Sequence, residues 1–243
     1  MPELAEVEYY RRRWAVAEGD RVKSVALHAG KRIFRGLDPN VLSAGLSGQT
    51  MKKARAHGKQ LNFCFGKQHW LGIHLGMTGR LLCEEARYEP QSHDHLCLYL
   101  DSGRTLVFND PRLFGRVRFD VCAGRPKWLQ GLPPDILSEA YSRELMEAFL
   151  QRRSRAPAKA VLLMQEAFPG IGNWMADEIL WRARIAPTVP VGRIGARKRG
   201  ELFAVLKEVC ADALRVIAPD WGRPPDAWLF NHRWRDGGKC PQT

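Results

Sequence analysis

The sequence predicts an α+β chain in which an N-terminal helix leads into a β-sandwich and the second half is helical. Three observations carry this. Apolar residues recur at three- to four-residue spacing over the first fourteen positions. Short, often alternating runs separated by Gly, Asp, Asn and Ser fill about residues 20 to 130. Past residue 137 the apolar spacing becomes helical again. With 243 residues and 45% hydrophobic content, the chain can bury one large or two medium cores.

The first element is MPELAEVEYYRRRW, where Leu4, Val7, Tyr10 and Trp14 form one buried stripe. Glu3, Glu6 and Glu8 lie in its early turns and Arg11, Arg12 and Arg13 in its late ones, the order a helix dipole favours. Strands are expected at Val22–Leu27, Leu61–Phe65, Trp70–Leu75, Leu96–Leu100, Thr105–Phe108 and Arg116–Val121, which fit two packed sheets. The proline-punctuated string GLPPDIL, residues 131–137, reads as a connector. The expected division is a first domain over 1–131, a linker over 132–137, a helical domain over 138–230 and a remnant over 231–243. In the helical part, Ser142 precedes a helix carrying Leu145, Met146, Phe149 and Leu150, and Pro157 opens a second that runs to about Phe168. A third follows Asn173, and a fourth covers about Ala196 to Ile217.

The net charge of +12 and a pI near 9.7 point to a polyanionic partner, although ribosomal, heparin-binding and membrane-surface proteins share such basicity. No stretch of eighteen apolar residues occurs, and the start is acidic where a signal peptide would be basic, so a cytoplasmic protein is expected. Six cysteines scattered without C-x-x-C spacing suit reduced, buried thiols better than disulfides or zinc.

Several short strings carry candidate chemistry. Removal of Met1 would leave Pro2 as a secondary amine, a nucleophile able to condense with a sugar aldehyde, and Glu3 beside it is the obvious acid. With an ordinary α-amino pKa of about 8, only roughly a fifth of that amine is unprotonated near pH 7.4, so some local depression is required. In IHLGMTGRL, Met77 sits on a turn between Gly76 and Gly79; an ordinary hairpin explains this, and so does an apolar wedge of the kind minor-groove proteins slip between bases. FNDPRLFGR presents Arg112 and Phe114 beside a proline turn. Lys59, in HGKQL, stands at a strand start where a lysine is commonly solvated. The string His93-Asp94-His95 lacks a further ligand cluster and is read as structural or phosphate-facing, not metal-binding. In AFPGIGNWMADEIL, Pro169, Gly170 and Gly172 permit a double turn and Asn173 suits a helix N-cap, whose backbone N–H groups would receive a phosphate.

Taken together, MPELAEVE, the Met77 turn, the Arg112–Phe114 loop and GIGN followed by a helix resemble the formamidopyrimidine-DNA glycosylase and endonuclease VIII family, and are nearer the first branch. The resemblance implies a terminal-proline Schiff base with Glu3 as acid, Lys59 near the reacting sugar, and Met77, Arg112 and Phe114 filling the hole left by an extruded base. It also implies a helix–two-turn–helix in which Lys159 and Asn173 face DNA. Ala5 and Leu113 depart from the family pattern, at positions where a second proline and an arginine are usual.

The resemblance weakens beyond about Ala218. PDWGRPPDAWLF is shorter than the family's segment before its finger, and DGGKCPQT begins like a zinc finger but has Thr243 where the second cysteine would stand. An incomplete, zincless finger remnant is therefore expected, with Arg233 and Arg235 replacing the finger's phosphate-gripping arginine, and with no cofactor. The implied function is a monomeric base-excision enzyme on damaged double-stranded DNA, with a weakened preference for 8-oxoguanine. The alternative is a non-catalytic binder of damaged or structured nucleic acid, which would have no use for Pro2 and Glu3.

Overall fold

The computed structural model describes residues 1–85, 88–233 and 240–241. It separates into two compact units, Met1–Pro2 with Val7–Gly131 and Glu3–Glu6 with Leu132–Thr243. Helix α1 (Leu4–Ala15) is thus divided: Val7, Tyr10 and Trp14 belong to the core of the first unit, and Ala5 to that of the second.

The first unit holds two antiparallel four-stranded sheets. One is ordered β1 (Val22–Leu27), β6 (Asp94–Leu100), β7 (Thr105–Asn109), β5 (Arg80–Glu84). The other runs β2 (Met51–His57), β3 (Gln60–Phe65), β4 (His69–His74), β8 (Arg116–Val121). Leu96, Leu98, Leu106 and Phe108 of the first and Leu61, Phe63, Leu71 and Ile73 of the second are wholly buried in one cluster. Trp14 lies against Phe63, ring centroids 4.8 Å apart, and its indole N–H donates to the Leu82 carbonyl.

Two strands and one helix exceed the expectation. In β2 a bulge between Met51 and Lys53 puts the buried positions, Met51 and Ala54, three residues apart, which destroys the period of two in MKKARAH. The edge strand β5 is short and follows the Met77 turn directly. Helix α2 (Pro39–Leu46) begins at Asp38, whose carboxylate accepts the Asn40 N–H, with Pro39 in its first turn.

The second unit contains α3 (Arg143–Arg152), α4 (Ala158–Leu162), α5 (Asn173–Arg182) and α6 (Ala196–Val216). Ser142 caps α3 through the Leu145 N–H. The second predicted helix is cut short: it ends at Leu162, not near Phe168. The Gln165 side chain replaces helical bonding there, donating to the Leu163 and Ile171 carbonyls and accepting the Gly170 N–H, which shapes the double turn. Among the described residues no helix is long and apolar enough to cross a membrane.

Because Phe63 is fully buried against Trp14, Phe63→Ala should lower the unfolding free energy by about 3–5 kcal/mol. Urea unfolding followed by tryptophan fluorescence measures this, and a loss well under that range would mean the site collapses around the missing ring.

Candidate active site

Glu3 is buried, and its carboxylate lies on the first turn of α5. Oε2 accepts the N–H groups of Gly172 at 2.9 Å and Met175 at 3.0 Å, and Oε1 accepts that of Trp174 at 3.0 Å. These are donors that an α-helix leaves unsatisfied, and the helix dipole complements the negative charge. The Leu4 N–H donates to the Gly170 carbonyl, which fastens the start of α1 to the same turn. Glu6 closes the arrangement: its carboxylate accepts the Glu3 N–H at 3.2 Å and the Trp174 indole N–H at 2.9 Å, the former being one half of a capping box. Burial pushes the Glu6 carboxyl up, while hydrogen bonds from the Glu6 and Glu3 backbone and from Trp174 pull the other way. Pro2, half-buried, precedes Glu3 in the chain.

Asn173 does not cap α5. Gly172 occupies the N-cap and Asn173 is the first helical residue, with an exposed side chain. The backbone N–H groups expected to receive a phosphate hold the Glu3 carboxylate instead. Gly172 is required for this, since a Cβ there would overlap that carboxylate.

In the first unit, the Met77 turn and the Arg112–Phe114 loop come together. Gly76 takes φ +65°, and a Cβ on it would strike the Phe114 carbonyl and the Gly115 nitrogen, so the two backbones pass in direct contact. Buried Asp110 ties them, one oxygen accepting from Thr78 at 3.2 Å and the other from the Gly115 N–H at 2.7 Å. Met77 is 45% and Phe114 40% exposed, so both apolar side chains are held out from the surface. Arg112 lies over the Phe114 ring at 4.8 Å and Arg32 at 5.8 Å. Leu113, at φ +57°, packs against the sandwich core, so the departure at this position serves packing.

Lys59 lies in the turn between β2 and β3 and is buried, contrary to the usual solvated lysine. His74, which the sequence reading did not single out, is near it: burial, and then repulsion from Lys59, Arg118 and Arg35, pushes its imidazole down. The Gly76 N–H donates to His74 Nδ1 at 3.1 Å, which leaves the ring proton on Nε2. Arg118 is likewise lowered, by burial and then by Arg116 and Arg35. This concentration of like charge suits an anion. Only the pairing of β3, β4 and β8 assembles it, through the registers Gln60↔His74 and His74↔Arg116.

The helical-unit cations are engaged differently. Asp177 binds Lys159 at 2.7 Å and Arg233 at 2.6 Å, a trio of net charge +1. Arg235 lies outside the described residues, as does most of the segment 231–243 expected to be a finger remnant. Among the described residues no three His, Cys, Asp or Glu side chains gather as a metal site. The short segment ahead of the remnant folds back on α5: Trp228 stacks on Trp174 at 6.3 Å, Phe230 meets Trp174 edge-on, and the Phe230 N–H donates to buried Glu178.

Residues 1–117 match the family model described as the formamidopyrimidine-DNA glycosylase N-terminal domain, and residues 132–219 match that of its H2TH domain. A formamidopyrimidine-DNA glycosylase of Chloroflexus aurantiacus is 34% identical over 100% of this chain and 90% of its own. One of Arabidopsis thaliana is 29% identical over 99% of this chain, which spans 65% of that longer relative. The crystal structure of wild-type Lactococcus lactis FPG (MutM) with an oxidized pyrimidine containing DNA aligns at a TM-score of 0.82 and 26% identity, over 92% of this chain and 83% of that one.

Gly172→Ala should displace the Glu3 carboxylate and leave buried donors of α5 unpaired, lowering stability by about 1–3 kcal/mol. Urea titration of the two proteins tests this; equal midpoints would show that Glu3 does not hold the helix start.

Proposed function

The chain belongs to the formamidopyrimidine-DNA glycosylase family, and on that premise we propose that it removes oxidised or ring-opened bases from double-stranded DNA and cleaves the strand at the resulting site. The observation that carries the reading is the Glu3 carboxylate, buried and fixed by three backbone N–H groups directly after Pro2.

In the proposed reaction the Pro2 amine, exposed once Met1 is removed, attacks the sugar carbon that bears the base. A bond from nitrogen to that carbon forms, the bond to the base breaks, and the base leaves with its electron pair and takes a proton from water. The Glu3 carboxylate takes the proton that the attacking amine gives up and passes it to the sugar oxygen as the ring opens, and the product is a cationic imine. The imine acidifies the adjacent carbon–hydrogen bond, so loss of that proton expels the 3′ phosphate and a second elimination expels the 5′ phosphate. Each step moves only protons and electron pairs among the DNA, Pro2, Glu3 and water, so no oxidant or reductant is required.

Supporting groups follow from the first unit. Met77, Arg112 and Phe114 would enter the stack and hold the orphaned partner base, because two exposed apolar side chains backed by a guanidinium are braced by buried Asp110. Lys59 and His74 would grip phosphate beside the lesion, where an arriving anion offsets the repulsion that adds to burial in depressing His74. Exposed Asn173 would donate to phosphate through its side chain, and Lys159 and Arg233 would supply the cationic face of the helical unit, with Asp177 setting their positions.

Borohydride should trap a covalent adduct with DNA carrying an abasic site, and Pro2→Gly should weaken or relocate that adduct. Absence of an adduct with the wild type would favour a plain binder of damaged DNA. Met77→Ala should slow excision of a paired lesion by about tenfold or more and leave abasic-site cleavage within about threefold, since an abasic sugar needs little unstacking. Equal losses on both substrates would remove Met77 from the wedge role.

A further inference from the structure

His95 is 2% exposed, and both of its ring nitrogens are committed. Nε2 lies 3.1 Å from the Asp110 carbonyl oxygen and Nδ1 lies 3.0 Å from Nδ1 of His28. A carbonyl only accepts, so Nε2 carries the proton; Nδ1 is then bare and receives the proton of His28 Nδ1. One tautomer alone satisfies both contacts. The backbone repeats the connection, because the Asp110 N–H donates to the His93 carbonyl and the His28 N–H to the His95 carbonyl. The neighbouring Asp94 carboxylate accepts from Asn109, Tyr88 and the Gln91 N–H, so the segment that carries His95 is itself pinned.

Asp110 is the residue from which the two exposed loops hang, through Thr78 on one side and the Gly115 N–H on the other. We propose that His95 is a positioning residue for base eversion: its Nε2–H holds the Asp110 backbone where the Asp110 carboxylate can lock the Met77 turn to the Arg112–Phe114 loop. The proposal rests on the glycosylase reading above, in which those loops open paired DNA. The groups that face the imidazole are His28, His93, whose ring lies at 6.5 Å, Lys31 and Asp110. Burial above all pushes the ring down, with His28 and Lys31 adding to it, and the Asp110 carbonyl and carboxylate pull against them. The neutral ring that the tautomer lock needs is therefore the favoured one.

The test is single-turnover cleavage of a duplex carrying an oxidised base paired with cytosine, beside the same duplex carrying an abasic site. His95→Phe keeps the bulk and removes the donor. It should lose about tenfold or more on the paired lesion, the scale of one buried hydrogen bond, and stay within about threefold on the abasic site. His95→Gln, whose amide N–H can take the place of Nε2–H, should restore most of the loss. Imidazole ¹⁵N spectra of the wild type should show His95 protonated at Nε2 and bare at Nδ1. Equal losses on the two substrates, failure of the glutamine to rescue, or a proton on Nδ1 would each overturn the proposal alone. A wild type that cleaves neither duplex would overturn the glycosylase reading and this proposal with it. If His95→Phe does not fold, His28→Ala at the exposed end of the pair serves: it should slow the paired lesion by about threefold and spare the abasic site, and an unchanged ratio would overturn the proposal.

Discussion

The carboxylate of Glu3 on the first turn of α5 is the constraint around which the helical unit is arranged. Three N–H groups that a helix cannot satisfy internally converge on two oxygens that cannot be buried without donors, so each side resolves the other's desolvation. Much of the local sequence serves this contact. The Gly172 N-cap makes room for the carboxylate, the Gly170 carbonyl receives the Leu4 N–H, Gln165 shapes the turn before them, and Glu6 fastens Glu3 to Trp174. A helix start that would ordinarily attract a phosphate is filled by the protein's own anion. On the proposed function, a DNA phosphate arriving there would be met by side chains.

Asp110 plays the matching part in the first unit. It is fully buried, yet its two oxygens and its backbone groups bond to Thr78, Gly115, His93 and His95, so the loops that expose Met77 and Phe114 spring from a rigid point. Exposed apolar side chains on a mobile loop would collapse onto the nearest apolar surface. On a braced loop they remain presented, which is what entry into a base stack requires.

The two units spend their charge differently. In the helical unit, acids set the geometry of cations: Asp177 takes Lys159 and Arg233, and Arg182 is surrounded by Glu178, Glu208 and Asp212. In the sandwich, sheet pairing brings His74, Arg116, Arg118 and Lys59 together, where burial first and mutual repulsion second lower His74 and Arg118. A small part of the chain's +12 is thereby gathered by the fold into one cationic cluster.

The sequence alone determined the α+β architecture, six of the eight strands among the described residues, the helix after Ser142 and, with its cap misplaced on Asn173, the helix α5, because alternation, caps and glycine turns are local signals. It also marked Pro2, Glu3, Met77, Arg112 and Phe114 through short motifs. It concealed β2, where a bulge breaks the alternation, and it let α4 run too long, because the Gln165 side-chain bonds that replace the helix have no periodicity to read. Only the tertiary structure decided that Gly172 and not Asn173 caps α5, since the side chain that occupies the helix start lies 169 residues away. The meeting of the Met77 turn with the Phe114 backbone, the burial of Lys59, the exposure of His74 to its cationic neighbours and the locked ring of His95 are likewise contacts between distant strands. Spacing along a chain reports which face a residue occupies, and it carries no information about which distant face it will meet.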